Sequence, residues 1–162
     1  MIDKAEVVLD KKETAGSLHD KLMVLGANLL LETLKKLEDG TAVREKQNDE
    51  ESCYAKMLSK DMGQIDFTKS ARECLIRGMN PWPSAYTSLD GKTMKVWEAD
   101  VLDAQSKEEP GTIVEVNKKE IIVATGSNDL ALHEIQLAGK KRMQVQAFLL
   151  GYQVEAGTKL GE

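Results

Sequence analysis

The apolar positions of this chain change period once along its length. In the stretch from residue 17 to 40, Leu18, Leu22, Leu25 and Leu29 recur at spacings of four, three and four, and Leu30, Leu34 and Leu37 extend the stripe. That is the period of a helix with one apolar face. Ser17 with Asp20 three positions on has the form of a capping box, and Gly40 supplies a stop, so a helix is predicted over 17–40. Ahead of it, residues 5–10 ("AEVVLD") read as a short strand. A strand and a helix with two apolar flanks form the end of an α/β layer, but one strand is no sheet. The polar run "TAVREKQNDEES" (41–52) reads as the start of a linker that we extend to residue 65. A linker helix is then predicted over 66–78, where Phe67, Ala71, Cys74 and Leu75 share a face and Gly78 ends it.

Pro81 and Pro83 flank Trp82. Proline fixes its own φ and disfavours helix at the residue before it, so this element stops the helix and runs stiffly into something new. Trp82 is placed at a barrel edge. Beyond it the period becomes two. In "KTMKVWEADVL", Trp97, Ala99 and Val101 fall on one face. In "GTIVEVNKKEIIVATG", Val114 and Val116 alternate with polar residues, as do Ile121, Val123 and Thr125, and 117–120 between them predicts a hairpin. "LALHEIQLAG" (130–139) gives a further strand or two, with a change of phase between Leu132 and Ile135 that predicts a bulge. "KKRMQVQAFLLG" (140–151) predicts a helix with Met143, Ala147 and Leu150 inward. The expected fold is α+β and mainly β. It is a small, partly open, OB-like Greek-key barrel with a short helix (from about residue 80, in a domain spanning 66–162), preceded by the linker and by a strand–helix remnant over 1–40.

Composition narrows the function. The chain has 162 residues, 41% hydrophobic and 30% charged, with a net charge of −5 from 22 basic and 27 acidic residues. It can bury a core, and the total does not mark a strongly basic nucleic-acid binder; local potential still governs encounter. Cys53 and Cys74 have no metal-ligand spacing and read as reduced thiols of a cytoplasmic protein. The start has charges where a signal peptide would be apolar, and no apolar run reaches the ~18 residues of a membrane span. His19 falls in the first turn of the long helix and reads as a surface or capping residue. His133 and Glu134 are strand neighbours and point to opposite faces. There is no Gly-rich phosphate loop and no hydrolase or zinc motif, so the residues alone give no catalytic site and no metal site. The basic residues form groups: Lys56 and Lys60, four apart and read as one helical face; Lys92 and Lys95; Lys118 and Lys119 at the hairpin; and Lys140, Lys141 and Arg142 at a predicted helix start. Such groups suit a groove that follows a nucleic-acid backbone, and equally suit ordinary surface lysines.

Six segments in order, "SLHDKL", "YAKMLSKDMGQIDF", "RGMNPWPSAYT", "KVWEADV", "PGTIVEV" and "QLAGKKRM", resemble the C-terminal half of the methionyl-tRNA formyltransferase family and span nearly the whole chain. The resemblance implies that 1–40 is the tail of a Rossmann-like catalytic domain and that the later part is a barrel that helps hold initiator methionyl-tRNA. It implies a formyl transfer from 10-formyltetrahydrofolate to the methionine amino group. The family's catalytic Asn, His and Asp precede what is here Met1, so none is carried over, no cofactor is expected on this chain, and the chain alone is expected to be inactive. Lys56 and Lys60, in "YAKMLSK", are the positions carried over as tRNA contacts, with Lys140, Lys141 and Arg142 as a second patch; Lys140 alternatively closes the barrel. The segment 71–77 is about two residues shorter than in the family, which turns a helix by roughly 200°. The alternatives are the barrel of a nucleotide-sugar formyltransferase and a non-catalytic interaction module. The oligomeric state is left open.

Overall fold

The structure, a computed structural model, describes residues 1–10, 13–57, 59–78 and 84–162. The chain forms two compact units, Met1–Met57 and Leu58–Glu162. The Pro81–Trp82–Pro83 element and the placement of Trp82 lie outside the described residues.

The first unit is built on α1 (Ala15–Glu38). Its N-cap is Thr14, not Ser17. The Thr14 hydroxyl accepts from the Ser17 backbone N–H at 3.0 Å, and Ser17 Oγ accepts from the Thr14 N–H at 3.0 Å. Ser17 is therefore the third helical residue of a capping box, in the place more often held by Glu or Gln. Gly40, at φ +69°, ends the helix. Its N–H donates to the Leu37 carbonyl, and the Thr41 N–H donates to that of Lys36, the paired bonds of a Schellman motif.

Residues 5–10 form no strand, which corrects the expectation. A strand needs a ladder partner, and here side chains fix the segment instead. Asp3 accepts from Thr33 Oγ1 and Lys36 Nζ at 2.6 Å each, while Lys21 Nζ donates to Asp10 at 2.8 Å and to Glu13. Residue 3 meets the end of α1 and residue 10 its beginning, so the segment runs antiparallel to the helix. Seven extended residues span about 23 Å, and fifteen helical residues about 22 Å, so the two lengths match. Ile2 and Val7 become half-buried, as do Leu18, Leu25 and Leu29 of the stripe. Leu22, Leu30, Leu34 and Leu37 remain 46–58% exposed.

The second unit is a curled antiparallel sheet with few helices, as expected at that level. Its strands are β1 (Tyr86–Leu89), β2 (Lys92–Val101), β3 (Ile113–Val116), β4 (Ile121–Ala124), β5 (Asp129–Leu137) and β6 (Met143–Gln144), in the order β1-β2-β5-β4-β3 with β6 also on β5. Asp90 and Gly91, both at positive φ, make the tight β1–β2 turn. The β3–β4 hairpin forms as predicted, with Ile121, Val123 and Thr125 buried. β5 is the axis: β2 runs along one side, β4 and then β6 along the other.

The β2–β5 register carries two irregularities. Val96 pairs with Ile135, Glu98 with Glu134, and Ala99 with Leu132. Trp97 is therefore an extra residue on β2 and His133 an extra residue on β5, and the second restores the register lost at the first. The bulge expected between Leu132 and Ile135 is thus present. Its counterpart at Trp97 breaks the even period on which Trp97, Ala99 and Val101 were expected to share one face. Met94 and Val96 are buried, Trp97 is half-exposed, and Val101 is 38% exposed.

The helices differ from expectation in two places. The linker helix is shorter, α2 (Ala71–Gly78), because Ser70 and Glu73 cap it: Ser70 Oγ accepts from the Glu73 N–H and Glu73 Oε2 accepts from the Ser70 N–H. The predicted helix over 140–151 resolves into a loop, β6, and the short α3 (Val145–Leu149). Val145 and Phe148 are its inward residues; Leu150 is 88% exposed. The core joins Phe67, Ala71 and Cys74 to Leu89, Met94, Ile113, Ile121, Leu130, Leu132, Ile135, Val145 and Leu160. Residues 157–161 connect the two outer strands. Ile113 N–H donates to the Thr158 carbonyl, Leu160 N–H to that of Gly111, and Gly161 N–H to that of Ser88.

Two expected outcomes follow from these contacts. Lys21 chiefly, with Ser17, holds the Glu13 carboxyl at about 2 against an ordinary 4.5. A depressed carboxyl stabilises the fold above its unfolded value and loses that contribution as pH falls, here from 4.5 towards 2. In a carboxyl NMR titration Glu13 should titrate near 2, with the signals of residues 1–10 shifting alongside; a midpoint near 4.5 would refute the clamp. In the second unit, Gly126 N–H donates to the Phe67 and Lys69 carbonyls, and a Cβ there would lie 2.0 Å from the Thr68 carbonyl oxygen. Gly126→Ala should lower stability by more than about 2 kcal/mol in denaturant unfolding.

Candidate nucleic-acid interface

The basic group 140–142 sits on the loop 138–142 that joins β5 to β6. Lys140 N–H donates to the Leu137 carbonyl at 2.9 Å, and Gly139 supplies the positive φ (+78°) that such a turn requires. Gln136 Nε2 donates to the Lys140 carbonyl at 3.1 Å, and Gln136 Oε1 accepts from the Trp97 indole N–H at 3.3 Å. The Arg142 guanidinium lies 4.5 Å from the centre of the Trp97 ring and pairs with Glu134. Lys95 Nζ lies 5.8 Å from the same ring. Glu134 raises the Arg142 pKa further above its ordinary value, so this cation is already committed. Lys140 and Lys141 are exposed and make no ion pair among the described residues. The three consecutive basic residues thus divide into two free ammonium groups and one anchored guanidinium, on a loop and not at a helix start.

Lys56 and Lys60 are not brought together on a helix. Lys56 lies in an irregular stretch of the first unit, beside exposed Tyr54 and Met57; Lys60 opens a 3-10 helix (Lys60–Gly63) of the second. Spacing by four places residues on one face only where the helix exists. Both are exposed and free of ion pairs among the described residues. Lys118 and Lys119 are exposed at the β3–β4 turn, where Asn117 Oδ1 accepts from the N–H groups of Lys119 and Glu120 at 2.9 and 3.0 Å.

His133 is not paired with Glu134. Its Nε2 lies 3.4 Å from Asp100 and its Nδ1 3.7 Å from Glu120, tying together β2, β5 and the start of β4. It lines a polar cleft of about 380 Å³ with Glu98, Asp100, Lys119, Gln144 and Gln146. The carboxylates make this cleft unsuitable for phosphate. His19 is exposed and lies 3.3 Å from Asp20, a surface residue as expected. Sequence reasoning missed Trp97 and Gln136, because an even period put Trp97 on one face with Ala99 and Val101 and gave it no role. The change of phase at 132–135 was the available signal that a strand face would switch.

Fold and site together define a small β-rich unit with a cationic loop. The family model described as the formyl transferase C-terminal domain matches residues 57–153, and the chain belongs to that family. It is 52% identical to the methionyl-tRNA formyltransferase of Lachnospira eligens, over 100% of this chain and 53% of that protein, and 52% identical to that of Clostridioides difficile, over 99% and 53%. The chain spans about half the length of the curated relatives it matches. Among solved structures, HypX from Aquifex aeolicus in complex with tetrahydrofolic acid is similar in fold, with a TM-score of 0.51 and 16% identity over 80% of this chain and 26% of that one.

The division of the basic loop is measurable. Lys140→Ala with Lys141→Ala should leave the stability within about 0.5 kcal/mol, since exposed lysines contribute little. Arg142→Ala should cost up to about 1 kcal/mol through the lost ring contact and ion pair, half-screened by solvent. Equal thermal shifts for the two variants would contradict this assignment.

Proposed function

We propose that this chain is the tRNA-holding portion of an enzyme that transfers the formyl group of 10-formyltetrahydrofolate to the amino group of methionyl initiator tRNA. The observation that carries this reading is the 52% identity with methionyl-tRNA formyltransferases along the full chain. In this reading 1–40 is the tail of a Rossmann-like domain, and the exposed leucines of α1 face the rest of it. The linker runs over 41–65, and the curled sheet is an OB-like Greek-key barrel within 66–162.

The transfer needs a deprotonated amine, a polarised formyl carbonyl and the two held at reacting distance. This chain supplies the last by gripping the tRNA. The grip is phosphate contact, which is sequence-tolerant and salt-sensitive. Lys140 and Lys141 offer free ammonium groups for it, and Arg142 gives the loop a fixed base. Lys56 and Lys60 contribute from separate units, each exposed. The folate co-substrate binds elsewhere in the whole enzyme, and no residue of this chain is assigned to it.

Filter binding of initiator methionyl-tRNA across a salt series tests the reading. Affinity should fall steeply with salt, and the log–log slope should shrink by about one for each phosphate contact removed. Lys56→Ala with Lys60→Ala should weaken binding and leave the fold intact, and the purified 162-residue chain should transfer no formyl group above a buffer blank. Absence of binding at low salt, or a double variant that binds as well as the parent, counts against it.

A further inference from the structure

We propose that Trp97 is a positioning residue that pre-organises the basic loop 138–142 for phosphate contact; this rests on the tRNA-holding reading above. Trp97 is the extra residue of the β2 irregularity, and that placement turns its ring out of the core, half-exposed. The ring then holds the loop at two points. At its middle the indole N–H binds Gln136 Oε1, and Gln136 Nε2 binds the Lys140 carbonyl, so a two-bond relay ties the strand to the backbone of the first lysine. At its end the Arg142 guanidinium lies on the ring, 4.5 Å from its centre, and is held there by Glu134. Lys140 and Lys141 lie between a fixed carbonyl and a fixed guanidinium.

The consequence is entropic. A loop already ordered in the free protein does not pay for ordering when it binds, and the ordering of one or two such side chains corresponds to roughly threefold to tenfold in affinity. Arg142 serves here as the anchor of the loop, and the two ammonium groups are its contacts. A ring that merely filled space would need neither the directed indole bond nor the stacked cation.

The test is a double-mutant cycle on the 162-residue chain with initiator methionyl-tRNA, combined with amide exchange of the free protein. Trp97→Leu should speed exchange at 138–142 and weaken binding roughly threefold to tenfold. In a background that already carries Lys140→Ala and Lys141→Ala, Trp97→Leu should have no further effect on affinity, because the contacts that it positions are gone. Gln136→Leu, which cuts the relay and leaves the ring on Arg142, should act in the same direction and decides the matter if Trp97→Leu does not fold. Unchanged exchange at 138–142, or a Trp97 effect that adds in full to that of the lysines, overturns the positioning role while leaving the tRNA-holding reading standing. A parent chain that binds no tRNA overturns that reading, and this one with it.

Discussion

The second unit depends on the pairing of β2 with β5. β2 carries β1 through the Asp90–Gly91 turn, and β5 carries β4 and β6 on its other side. A slip of one residue between them would send Met94, Val96, Leu132 and Ile135 to solvent, because side chains alternate with a period of two. The pair nevertheless contains one extra residue on each strand. The two offsets cancel, so the strands remain in step at both ends while the sheet bends between them. Added twist and bend are what such irregularities supply. They let a short sheet curl far enough for residues 157–161 to bridge its outer strands.

The same offset sets the electrostatics of the outer face. The extra residue on β2 is a tryptophan, and it lies where a cation can stack on it. The extra residue on β5 is His133, set between Asp100 and Glu120. One irregularity therefore faces a cationic loop and the other an acidic cleft, on one pair of strands. A chain with net charge −5 can in this way present free ammonium groups at a chosen loop, because local potential and not the total governs approach.

The parts legible in the sequence are those in which local pattern and tertiary packing agree. The leucine stripe gave α1, although only three of its seven leucines found cover, and the alternation on either side of 117–120 gave the hairpin. β1 was missed although Asp90–Gly91 marks its turn. The shared face of Trp97, Ala99 and Val101 was read from a uniform period that the offset at Trp97 breaks. Residues 140–151 have the composition of a helix, but Met143 and Gln144 pair with Ile135 and Glu134 instead, and that pairing with the preceding strand outweighs helical propensity. Of the candidate site, the free lysines were visible as a cluster. Their unequal roles were not, because Glu134 and Trp97 approach Arg142 only through the sheet.

Residues 157–161 lie between the outer strands and follow both of them along the chain. A chain synthesised from its N-terminus has β1 and β3 complete while nothing yet bridges Ser88 to Gly111 and Ile113. During that interval the outer strands offer unpaired backbone groups to any neighbouring chain. The hazard of edge-to-edge association is thus confined to a window in time, and it closes when five residues arrive and Leu160 enters the core.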